Sequence, residues 1–64
     1  MTNREALTMI LEACRAIEAC QEPKIPAPGY GAPDIAHLRT LPLAQVRAVK
    51  RGARRTLARL RAAR

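Results

Sequence analysis

Apolar residues recur at three- and four-residue spacing in two stretches of this 64-residue chain, and a non-periodic segment separates them. In the first stretch Leu7, Ile10, Cys14 and Ile17 predict a helix over residues 3–21. Thr2-Asn3-Arg4-Glu5 opens it as a capping box, in which the Thr hydroxyl accepts from the Glu5 amide. Plotted at 100° per residue, its apolar positions from Ala6 to Cys20 sweep about 200°, more than docking on one neighbour requires. Two readings follow: both flanks are buried inside one chain, or one flank receives a second copy. On the second reading Leu7, Ile10, Cys14 and Ile17 are the candidate homodimer interface.

Residues 22–33 hold four of the five prolines and two of the three glycines. Pro removes amide donors and fixes φ, so this is a loop of polyproline character with Ile25 and Tyr30 as its anchors. Helical signals resume with Asp34, a cap for a short helix over 34–39. Pro42 suits the first turn of a last helix over 42–62. Its apolar positions Val46, Val49, Ala53, Leu57 and Leu60 keep three–four spacing, and Gly52 inside it predicts a bend. The expected fold is an all-α, three-helix single domain with the Pro-rich loop after its first helix.

Charge divides the chain. Residues 1–22 carry two Arg and four Glu, net −2; residues 39–64 carry nine basic residues and no acid, net +9, within an overall +7. An acidic half followed by a basic half predicts one segment for protein contact and one for a polyanion. With no Phe or Trp and thirteen Ala, the core is small, and a pocketed layered enzyme is excluded on size. The acids Glu5, Glu12, Glu18 and Glu22 read as solvated or inter-subunit charges. Cys14 and Cys20, about 9 Å apart along one helix, cannot bridge, and read as packing thiols of a cytoplasmic protein. His37 has only Asp34 nearby, a capping contact rather than a catalytic one. No metal ligand set, cofactor loop, catalytic residue or membrane span is expected.

A helix-turn-helix needs a small residue at the helix crossing and aliphatic residues that lock the second helix. Ile35, Ala36, Leu41, Val46 and Val49 have that spacing, while Arg39 and Thr40 stand where an apolar residue and a glycine fit best. The stretch from Asp34 to Leu57 resembles region 4 of sigma factors, extracytoplasmic-function group. The likeness runs through Ile35-Ala36, Leu38, Leu41-Pro42, Val46, Arg47, Ala53-Arg54 and Leu57. It implies a helix-turn-helix whose second helix faces DNA, with Ala44, Gln45, Arg47, Ala48 and Arg51 toward bases or phosphates. It does not imply transcription initiation, and residues 1–33 do not share it.

If duplex DNA is the partner, Arg47, Lys50, Arg51, Arg54 and Arg55 neutralise phosphates. Gln45 suits adenine, and Arg47 or Arg51 suits guanine. The expected function is therefore a small DNA-binding regulator. The main alternative is a phage- or mobile-element-type protein that docks on a host protein or ribonucleoprotein. The third is RNA binding by the Arg-rich helix.

Overall fold

The computed structural model describes residues 2–23 and 33–63; the Pro-rich loop's Ile25 and Tyr30 lie outside them. Within the described residues the chain is all-α: α1 spans Asn3–Glu18, α2 Ile35–Leu38 and α3 Leu43–Ala62. The boundaries follow local chemistry. Thr2 is extended and its Oγ1 accepts from the Glu5 amide at 3.2 Å, which satisfies one of the helix's orphan donors. Asp34 does the same for α2, accepting from the His37 amide at 3.1 Å. Pro42 stands just before the first turn of α3 rather than within it. Its carbonyl receives the Gln45 and Val46 amides at 2.9 and 3.1 Å.

The first helix stops three residues short of the predicted end. Ala19 caps it, and Cys20 takes φ 57°, the one positive φ at a non-glycine among the described residues. The Gln21 amide then donates to the Ala16 carbonyl at 2.8 Å and the Cys20 amide to Ile17 at 3.0 Å, the paired bonds of a Schellman motif. A left-handed residue is usually glycine here, because a Cβ crowds the following carbonyl. Cys20 is consequently an exposed thiol, not the packing thiol that its apolar character predicts.

The core lies where α1 meets the other two helices. Ala13 and Cys14 of α1 are buried against Ile35 and Leu38 of α2 and Val46 of α3, with Met9, Ile10, Ile17, Leu41 and Val49 packed around them. Ala53 and Leu57 extend the buried stripe of α3. The 200° apolar arc of α1 is thereby explained: one helix serves two neighbours, so both flanks must be apolar. Three of the four residues expected at a homodimer interface take part in this intrachain packing. Cys14 is fully buried within its own chain, Ile10 and Ile17 pack on its core, and Leu7 is half-buried. Leu43 is the only large apolar side chain left exposed among the described residues.

The helix-turn-helix order is present, but its contacts differ from those expected. Ala36, the predicted crossing residue, is exposed, while Ile35 and Leu38 turn inward toward α1. A helix of four residues offers one inward face, and the i, i+3 pair Ile35 and Leu38 occupies it. Ile35, Val46, Val49 and Leu41 do join the core. The turn manages without a left-handed residue: Thr40 donates from Oγ1 to the His37 carbonyl at 2.7 Å. Helix α3 continues through Gly52 without interruption.

Two backbone positions therefore invite stabilising changes. A Cβ added at Gly52 meets nothing within 4 Å, so Gly52→Ala should gain about 0.8–1 kcal/mol. Cys20→Gly relieves the left-handed Cβ and should gain about 0.5–1 kcal/mol. Urea melts that place either midpoint at or below wild type would contradict the corresponding account.

Candidate nucleic-acid interface

Helix α3 buries one stripe and turns the rest outward. Val46, Ala53 and Leu57 are buried on α1; at 100° per residue, Arg51 and Arg55 project about opposite to them. Gln45, Arg47, Arg51, Arg54 and Arg55 are all exposed, as are Ala44 and Ala48. Over twenty residues the helix is about 30 Å long. The predicted nucleic-acid residues thus share one element, but they are not equivalent.

Lys50 is the clearest departure. It is half-buried, and its Nζ stands 2.7 Å from Glu18 Oε2; both side chains are 23% exposed. Arg47 Nε lies 3.9 Å from the other oxygen of that carboxylate, with its side chain 62% exposed. Glu18 is therefore not a solvated charge. It sits one turn beyond buried Cys14, and Lys50 one turn beyond buried Val46, so packing of those two residues brings the charges together. Glu18 Oε1 is itself buried without a hydrogen-bond donor. The pairing diverts Lys50, and part of Arg47, from the phosphate role that sequence assigns them.

A second pair ties the turn to the end of α1: Arg39 donates to Glu22 at 2.6 Å. This gives Arg39 a use at a position where an apolar residue was the better fit. Both groups are substantially exposed, so the pair orients more than it stabilises. Among the described residues, by contrast, no carboxylate lies within 4.0 Å of Arg51, Arg54, Arg55, Arg59 or Arg61.

Arg54 borders two recesses along the seam between α1 and α3. One is lined by Glu18, Arg47, Lys50, Arg51 and Arg54. The other holds Glu12 and Arg15 from α1 opposite Arg54 and Arg61, over Leu11 and Leu57. Arg15, to which the sequence assigns no role, and Glu18, expected to be solvated or inter-subunit, are the α1 contributions to these recesses. The available signal was their register, since each falls on the flank of the α1 stripe that α3 covers.

The chemistry is that of charge recognition. His37 engages Asp34 only through its backbone amide, as a cap. No cluster of three metal-ligating side chains occurs among the described residues, and none of their helices is long and apolar enough to cross a membrane. Burial pushes the Cys14 thiol above its ordinary 9.0; the Glu18 charge adds to this and Lys50 partly offsets it. The unfolded thiol ionises first, so this contribution to stability is intact below pH 9.0 and falls away as pH rises toward the folded value. No protein-family model matches the chain, and no curated protein or solved structure matches it either.

The two cysteines should react very differently. A thiol reagent at neutral pH is expected to label exposed Cys20 promptly and to reach buried Cys14 only on unfolding. Mass spectrometry should find one adduct per native chain and two in denaturant. Rapid double labelling of native protein would contradict the packing of α1.

Proposed function

We propose that this chain is a small DNA-binding protein of regulatory type that grips duplex DNA through the outward face of α3. The observation carrying this reading is the cluster of Arg51, Arg54 and Arg55, exposed on one rigid helix with no carboxylate partner among the described residues. Guanidinium groups in such an array bind phosphate oxygens bidentately and release condensed counterions. Lys50 and Arg47 contribute less, because Glu18 already holds them. Gln45 and Arg51 are the side chains placed to test base edges.

Duplex is favoured over single-stranded nucleic acid by composition. Single strands are gripped by aromatic platforms on which bases stack, and this chain has no Phe or Trp and one Tyr. The helix-turn-helix order and the likeness of residues 34–57 to sigma region 4 support the same partner. The exposed Ala36 shifts emphasis from a groove-reading motif toward backbone contacts, which position a protein without specifying sequence.

Fluorescence anisotropy with a labelled duplex, a scrambled duplex and single-stranded RNA tests the reading. Three phosphate contacts give a log–log salt slope near −2.7, or about 100-fold weaker binding at 300 mM than at 50 mM salt. Arg51→Glu with Arg55→Glu should abolish binding while far-ultraviolet circular dichroism stays unchanged. Absence of duplex binding at 50 mM salt, or a clear preference for the RNA, would overturn the proposal.

A further inference from the structure

Resting on the duplex reading, we infer that the α1–α3 seam is a phosphate track, with Arg15 of the acidic half seated on the DNA backbone beside Arg54 and Arg61. Charge counting along the sequence assigns residues 1–22 to a protein partner, since their net charge is −2. The fold overrides that division. It places Arg15 across a recess from Arg54 and Arg61, over an apolar floor of Leu11 and Leu57. Arg54 also borders the neighbouring recess with Arg47 and Arg51, so it stands between the two. Arg47, Arg54 and Arg61 are seven residues apart, which sets them on one line along α3 over about 21 Å.

Shape decides what such a line can hold. Base edges lie at the bottom of the DNA grooves and are reached by a projecting helix or ribbon. A concave seam between two helices cannot reach them. It complements a convex ridge, and on a duplex the ridge is the sugar–phosphate strand. Arginine suits the task, because its planar fork matches phosphate oxygens from either wall of the recess. Seated this way, the seam receives one stretch of backbone through Arg15, Arg54 and Arg61. This adds to the phosphates that Arg51 and Arg55 meet on the outward face, so the wild-type slope should exceed about −2.7 in magnitude. Two carboxylates oppose the track: Glu12 at the rim of one recess, and Glu18 at the end already occupied by Lys50 and Arg47.

Single-charge variants of the full chain, titrated against a labelled duplex across a salt series, provide the test. Arg15 is exposed, so its replacement leaves the core untouched. Arg15→Gln should weaken binding about 5–10-fold at 0.1 M salt and reduce the slope by about 0.9, the value of one lost phosphate. Arg15→Lys should largely restore the slope, and Glu12→Gln should tighten binding. Arg59→Gln removes the same charge from the flank of α3 turned away from the seam, and should leave the slope unchanged. Equal losses in Arg15→Gln and Arg59→Gln would mean that affinity follows net charge, and would overturn the track. Wild-type affinity in Arg15→Gln, with Arg51→Glu/Arg55→Glu still inactive, would overturn the track alone. Failure of the wild-type chain to bind duplex would remove both the track and the reading beneath it. Circular dichroism and protection of Cys14 from labelling confirm the fold of each variant.

Discussion

The close approach of α1 and α3 around Cys14 and Val46 sets everything else in this molecule. Both residues are fully buried, and small Ala13 is buried in the same cluster, while Ala53 is buried two turns further along α3. A chain with thirteen Ala and no Phe or Trp cannot fill a wide interior. Its solution is to bring the helices together, so that small side chains still exclude water. Helix α2 is too short to be stable by itself and survives because Ile35 and Leu38 complete the same cluster. The two neighbours bury the centre of the α1 arc at Ala13 and Cys14 and leave its edges partly open.

The same approach determines the electrostatics. Residues one turn beyond a buried pair are carried to the edge of the contact, and there Glu18 meets Lys50. A half-buried ammonium is tolerable only with a counter-charge, so this pair is fixed by the packing rather than chosen by surface charge. A basic helix therefore divides into cations committed to the fold and cations left for a partner. The committed ones are those that reach Glu18, Lys50 foremost and Arg47 in part. The available ones, Arg51, Arg54 and Arg55, lie where the helix faces water.

Much of this was legible in the sequence because it is local. The N-cap at Thr2, the cap at Asp34, the three–four apolar spacing and the outward Arg face each depend on residues within a turn or two. What was not legible depends on partners far along the chain. Glu18 and Lys50 are 32 residues apart; register sets Glu18 beside the apolar stripe, one turn beyond Cys14, but does not say which cation it meets. The end of α1 was hidden for a different reason. A Schellman turn usually announces itself by glycine, and here the fold imposes the left-handed conformation on Cys20. Ala36 shows the limit of motif spacing: its position fits a helix crossing, yet a one-turn helix has room for only two inward residues.

These constraints also bound what α3 can accomplish. On the proposed duplex reading, a chain gripping DNA through a few arginines obtains affinity from counterion release, which hardly depends on sequence. Discrimination falls to Gln45 and Arg51, each worth about 1–3 kcal/mol at a correct base through a good bidentate contact. Two such contacts separate a cognate site from random duplex by about 2–6 kcal/mol, near the lower end of the range for specific DNA-binding proteins. The usual remedy is a second half-site supplied by a dimer. On the proposed duplex reading, selectivity beyond that lower range requires a second half-site or a further partner bound beside this chain.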